Sequence, residues 1–158
     1  GKPQRRNEEK DKSNLIKDQE LVYRRNINLF HSVAIAPLLI YIGSKGNTNN
    51  PKIYHLLFGI GLLASIYHGS RIFIKRQVSN CIGKEKDKEE VKKEQSYLTS
   101  IYIMHILAIV PLFLYVGYKG NESNLKTYPV LFSMGIITIL YHIFRYKYPR
   151  ETIKCNDN

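Results

Sequence analysis

Polar and apolar residues fall along this chain in blocks. Four stretches carry no formal charge: INLFHSVAIAPLLIYIG from Ile27 to Gly43, IYHLLFGIGLLASIYHGS from Ile53 to Ser70, YLTSIYIMHILAIVPLFLYVG from Tyr97 to Gly117, and TYPVLFSMGIITILYHIF from Thr127 to Phe144. Each is 17 to 21 residues long, and a bilayer core needs about 20 residues at about 1.5 Å each. A soluble helix of this length would keep a charged face, and none of the four does. The pattern predicts an all-α integral membrane protein with four transmembrane helices; a soluble bundle of unusually apolar helices is the alternative.

The four stretches also repeat. Shifting the sequence by 74 residues sets HSVAIAPLLIYIGSKGN on HILAIVPLFLYVGYKGN and YHLLFGIGLLASIYHGSR on YPVLFSMGIITILYHIFR, with 19 of 41 positions identical between 31–71 and 105–145. The expected architecture is a four-helix bundle made of two tandemly duplicated transmembrane hairpins. A repeat of two crossings keeps its orientation, so the halves should be related by an axis along the membrane normal. The expected divisions are a basic arm (1–26), a first hairpin (27–74), a charged linker (75–96), a second hairpin (97–146) and a tail (147–158).

Charge sets the orientation. Of the 24 Lys and Arg, 20 lie in the arm, linker and tail or at the adjoining helix ends, and four lie in the hairpin loops. Both termini and the linker are expected on the cytoplasmic or equivalent inner side. The sequon Asn121-Glu122-Ser123 then falls in an outer loop, where glycosylation is allowed. The first apolar run follows a charge-rich arm of 26 residues, so no cleavable signal peptide is expected. Residues 13–26 could form a short interfacial amphipathic helix with Leu15, Ile16, Leu21 and Val22 inward. Residues 84–96 have helix-forming composition and should run into the third membrane helix. The net charge of +11 fits anionic lipid headgroups; with no aromatic-basic platform or reading motif, nucleic acid is not an expected partner. A homo-oligomer or the subunits of a membrane complex are compatible partners.

The duplication marks faces. In the first helix of each hairpin His31, Ala34, Ile35, Leu38 and Tyr41 are kept with their counterparts 74 residues on, and they share one stripe. In the second helix Tyr54, Leu57, Phe58, Gly61, His68 and Arg71 do the same. Both stripes are expected to be helix–helix contacts, and the diverged sides to face lipid. Pro37 and Pro111 lie inside the first helix of each hairpin, where each removes a backbone hydrogen bond and should kink the helix, freeing a carbonyl at Val33 or Leu107.

His31, His68, His105 and His142 should form one polar layer toward the inner side, and an ionisable residue in a membrane is a functional-site hypothesis by default. Three accounts compete. Histidine could join Tyr67 and Arg71, or Tyr141 and Arg145, in hydrogen bonds across each hairpin that fix register and reach lipid headgroups. The imidazoles could instead hold one b-type haem per hairpin, or a single four-histidine metal site, although no membrane carboxylate is evident as a supporting partner. Or the layer could pass protons or ions, with only Tyr41, Tyr115, Tyr54 and Tyr128 as polar steps beyond it. His55 faces Pro129 in the repeat and is expected to be interfacial. Cys81 and Cys155, one repeat apart, are too few for a disulfide scaffold and are expected as surface thiols. No nucleophile–His–carboxylate set or phosphate loop is present, so no enzyme is expected.

The wording H-x5-P-L-x2-Y-x-G followed by Y-H-x2-R, with the Lys/Asn/Ile/Tyr-rich composition, resembles small multi-pass membrane proteins of large nucleocytoplasmic DNA viruses. The resemblance covers the two hairpins and implies a viral or host-derived internal membrane, with no catalytic or binding residue carried over. The function expected is non-enzymatic: a structural or assembly component that binds anionic lipid. The alternative is a haem b- or metal-binding electron carrier using the four histidines.

Overall fold

A computed structural model describes residues 2–74 and 88–150; residues 75–87, with Cys81, and 151–158, with Cys155, lie outside the described residues. Among the described residues the chain is all-helical. Helix α1 (Lys2–Phe30) passes through a π-helical turn (His31–Ile35) into α2 (Ala36–Lys45); α3 is Pro51–Phe73. The second half repeats this order with α4 (Lys88–Met104), a π-helical turn (His105–Ile109), α5 (Val110–Lys119) and α6 (Thr127–Lys147). Four helical spans are long and apolar enough to cross a membrane: Gln19–Thr48, Pro51–Phe73, Glu89–Glu122 and Thr127–Lys147.

The short interfacial helix expected over 13–26 is not a separate element. No proline or glycine lies between Gln4 and Ala36, so nothing stops α1 before the membrane. Of the four residues expected inward, Val22 is exposed and Leu21 half-buried, while the side chains of Leu15 and Ile16 lie outside the described residues. The third span is likewise continuous with the charged segment before it.

The prolines act differently from a simple kink. Just before each one the helix widens by a residue: the Ala36 N–H bonds to the His31 carbonyl five residues back, and Val110 does the same to His105. A proline ring collides with the carbonyl four residues earlier, and a wider turn relieves this without leaving the helix. At the outer ends Gly46 and Gly120 stop α2 and α5 at φ +58° and +56°, a left-handed conformation that glycine adopts without Cβ strain. Helix α3 starts on a side-chain cap, Asn50 accepting from the Lys52 N–H at 3.0 Å; before α6, Asn124 accepts from the Lys126 N–H at 3.0 Å in the preceding turn.

Partner choice is the main departure from expectation. Within one hairpin α2 and α3, and likewise α5 and α6, scarcely touch; α2 packs along α6 and α3 along α5. Glycines carry these crossings. A Cβ on Gly43 would lie 2.5 Å from the Phe132 nitrogen, and one on Gly135 3.0 Å from the Ala36 carbonyl oxygen. One on Gly117 would lie 2.7 Å from the Phe58 backbone, and one on Gly61 3.0 Å from Leu114. Backbones approach this closely only where no side chain stands between them.

Above the histidines all four spans share one apolar cluster, containing Leu39, Ile42, Tyr54, Leu57, Phe113, Val116, Tyr128 and Leu131. The expected stripe on α3 and α6 is buried at Tyr54, Leu57 and Gly61 and at Tyr128, Leu131 and Gly135. On the first helix of each hairpin the stripe is displaced. The buried positions are Ser32, Ala36, Leu39 and Ile42, whereas Ala34 and Tyr41 of the identical set are exposed and Ile35 and Leu38 are half-buried.

Candidate functional site

The four histidines meet, but across hairpins rather than within them. The His31 ring stacks on His142 at 4.5 Å between centroids and 23° between planes. His68 faces His105 at 4.3 Å and 32°. These pairs follow from the helix pairing, since the first span lies on the fourth and the second on the third. The arrangement of one histidine pair per hairpin is therefore corrected.

Hydrogen bonds fix three of the four rings. His31 Nδ1 lies 2.7 Å from the Ile27 carbonyl, and His105 Nδ1 lies 2.7 Å from the Ile101 carbonyl. A carbonyl only accepts, so Nδ1 carries the proton in both rings. His142 Nδ1 sits 2.8 Å from Asn28 Oδ1, and Asn28 in turn donates through Nδ2 to the Arg24 carbonyl at 2.9 Å, which fixes which end of the amide meets the histidine. His68 is the exception. It is 8% exposed, its Nδ1 is buried, and it has no hydrogen-bond partner among the described residues. The difference traces to one position of the repeat: residue 28 is Asn and residue 102 is Tyr, and Tyr102 meets the His68 ring at 5.8 Å.

Below the layer, tyrosines make the contacts across each hairpin. Tyr67 bonds Tyr23 hydroxyl to hydroxyl, and Tyr141 bonds Tyr97 at 2.8 Å. Arg71 lies over the Tyr67 ring at 5.5 Å and Arg145 over Tyr141 at 5.8 Å. Register across a hairpin thus rests on tyrosine pairs with arginine laid on the ring, and among the described residues no histidine hydrogen bond crosses a hairpin.

At the inner end, just before the third uncharged stretch, a carboxylate is buried. Buried Glu94 binds Arg150 at 2.7 Å and lies 3.7 Å from Arg24, which also pairs with Glu20 at 3.0 Å. The Glu94 carboxylate holds the Arg150 guanidinium above its ordinary pKa, because an accepting anion favours the charged form. The signal for this cluster was available in the sequence. Carried upstream of His31, the 74-residue shift pairs Glu20 with Glu94, Tyr23 with Tyr97 and Ile27 with Ile101, all on the stripe that holds the histidine.

Two cavities flank the histidine layer, and all four histidines and Tyr67 line both. The outer one, about 250 Å³, is otherwise lined almost wholly by apolar side chains such as Ile35, Ile60 and Phe113. The inner one, about 150 Å³, is bordered by Glu20, Arg24, Tyr97, Arg145 and Arg150.

Farther out the bundle is tied shut. Tyr54 and Tyr128 meet hydroxyl to hydroxyl at 3.0 Å, beside the Gly46 and Gly120 carbonyls; with one proton each, one hydroxyl donates to the other, which donates to its own carbonyl. The Asn121 amide nitrogen, turned toward its acceptors, donates to Tyr54 Oη and to the Asn47 carbonyl, each at 2.9 Å. The sequon asparagine therefore holds the outer turns together. Tyr41 and Tyr115, the other polar steps, lie on exposed faces, as does His55.

Among the described residues no group of three or more His, Cys, Asp or Glu converges to hold a metal ion. Rings in face contact present their nitrogens sideways, so ligation by both members of one pair requires a ring to turn. No protein-family model matches the chain, and neither the curated proteins nor the solved structures give a match.

Proposed function

We propose that this chain is a non-enzymatic multi-pass membrane protein, a structural or assembly component of a membrane or membrane complex. Its two duplicated hairpins interlock as a four-helix bundle. The observation that carries this reading is the crossed pairing. Gly43, Gly117 and Gly135 each lie against the other hairpin's backbone, Gly61 lies against the Leu114 and Phe113 side chains, and the repeated tyrosines close the inner end. These residues are spent on holding helices together. The basic arm, linker and tail then lie on the cytoplasmic side against anionic headgroups, and a viral or other internal membrane is the setting that the sequence resemblance implies.

A second reading has its own support. His31 and His105 donate Nδ1–H to backbone carbonyls and so present unprotonated Nε2 atoms, the orientation that metal-bound histidines adopt. Haem b or a metal ion held by His31, His68, His105 and His142 would make the chain an electron carrier. An absorption spectrum of detergent-purified protein, oxidised and then dithionite-reduced, with metal analysis of the same sample, separates the two. The structural reading expects a featureless visible spectrum and no stoichiometric metal. A Soret band that shifts on reduction, or one bound metal per chain, would replace it with the second.

A further inference from the structure

The duplication supplies an internal control for the histidine layer. His142 and His68 occupy equivalent positions, yet Asn28 satisfies one and nothing satisfies the other. A nine-tenths-buried imidazole without a partner costs free energy unless something else bonds it. His68 lies where the apolar outer cavity and the charged inner cavity adjoin, lining both. Two lining residues of the outer cavity, Phe30 and Leu63, are themselves 55% and 68% exposed, so its wall continues onto the lipid-facing surface.

The charges of the inner cavity do not balance. Glu20 and Glu94 are taken by Arg24 and Arg150. Arg145, on the same wall, lies over the Tyr141 and Phe144 rings and reaches the Tyr141 hydroxyl, but its Nε is without a partner and no carboxylate among the described residues pairs with it. One cation and one unpartnered imidazole thus stand at the polar end of an apolar cavity.

We propose that the two cavities form a single binding site for an anionic single-chain amphiphile, with its apolar chain in the outer cavity and its oxygen-bearing head in the inner cavity against His68 and Arg145. A carboxylate or a phosphoryl group supplies the required chemistry, since each accepts from both guanidinium and imidazole. The duplicated fold carries one such site and not two, because Asn28 occupies the equivalent imidazole in the other half. The site rests on the membrane-spanning bundle proposed above, and deepens it from general attraction to anionic lipid to one defined pocket.

The test is a titration of the intact, detergent-solubilised chain with cis-parinaric acid, a fluorescent fatty acid. Saturable binding of one molecule per chain is expected. His68→Leu and Arg145→Gln should each weaken it by about tenfold, the worth of one hydrogen bond to a charged group, whereas His68→Gln, which can still donate, should weaken it less. His55→Leu, on an exposed face, should leave it unchanged. Displacement by palmitate alone identifies a free fatty acid, and displacement also by 1-palmitoyl lysophosphatidate identifies a phosphoryl headgroup. Displacement by methyl palmitate as good as by palmitate would overturn the anionic site, as would absent saturation or unchanged affinity in both His68→Leu and Arg145→Gln. A helical, monodisperse chain that fails to bind parinarate overturns this inference and leaves the structural reading standing; loss of helicity or a Soret band strikes the structural reading itself.

Discussion

The outer and inner halves of this bundle are built on opposite principles. The outer half is filled: eight large side chains share one apolar cluster, glycines bring backbones together, and Tyr54 with Tyr128 closes the end. Around the four histidines the bundle is hollow, with an apolar cavity on the outer side of the rings and a smaller one bordered by charged residues on the inner side, and the inner end carries an ion-pair cluster around Glu94. Lipid tails are as apolar as leucine, so association inside a bilayer depends on close packing rather than on escape from water. That packing is concentrated where no polar chemistry is needed, and the half with polar chemistry is held by it.

Two pairs of substitutions and one single change would break or sharpen this contrast. The largest effect is expected at Gly117→Ala, where the added Cβ meets the Phe58 backbone at 2.7 Å and neither main chain can yield; about 2–3 kcal/mol should be lost. Gly69→Ala in the inner half meets only the tip of Ile106 at 4.0 Å and should change stability by less than about 0.5 kcal/mol. Denaturant unfolding in mixed micelles measures both, and equal effects would erase the distinction between the halves.

Next comes Leu57→Ala, at a fully buried position. In lipid the transfer term largely vanishes and the cavity term remains, so the cost should be about 1–3 kcal/mol, toward the low end of aqueous values. Leu63→Ala, 68% exposed on the same helix, should cost little in the same assay. Third in size is Glu94→Gln, which strips a carboxylate from Arg24 and Arg150. The side chain of Arg150 is 34% exposed, and water tempers the loss to about 1–2 kcal/mol, below that of a fully buried pair. Added salt should narrow the gap between wild type and Glu94→Gln while leaving that for Leu57→Ala unchanged.

The four spans were legible because a 17- to 21-residue uncharged run has few alternatives. Which helix packs on which was not legible. Periodicity shows that a face is special without naming its partner, and the crossed pairing depends on backbone approaches at glycines spaced along different helices. The stripe on the first helices teaches more. Its buried positions differ between repeats, Ala36 with Val110, Leu39 with Phe113 and Ile42 with Val116, because packing tolerates apolar exchanges that neighbours absorb. The positions held identical include those that must donate, accept or stay small: His31, His68, Tyr54, Gly61. Identity between the halves therefore reports chemistry more faithfully than burial, which is why the histidines were found and the displaced core on α2 was not. The unpartnered state of His68 was hidden for a related reason, since it arises from the exchange of Asn28 for Tyr102 outside the identical set.

The crossed pairing also bears on how the chain is made. On the membrane-spanning reading proposed above, a ribosome delivers the first hairpin before the second exists, and at that moment Gly43 and Gly61 face lipid with no partner helix to receive them. The first half must then wait or take the matching surface from a neighbouring nascent chain, and a message truncated after residue 74 would yield hairpins that satisfy one another in pairs. The order of synthesis, more than the final structure, sets when this protein is most exposed to joining the wrong partner.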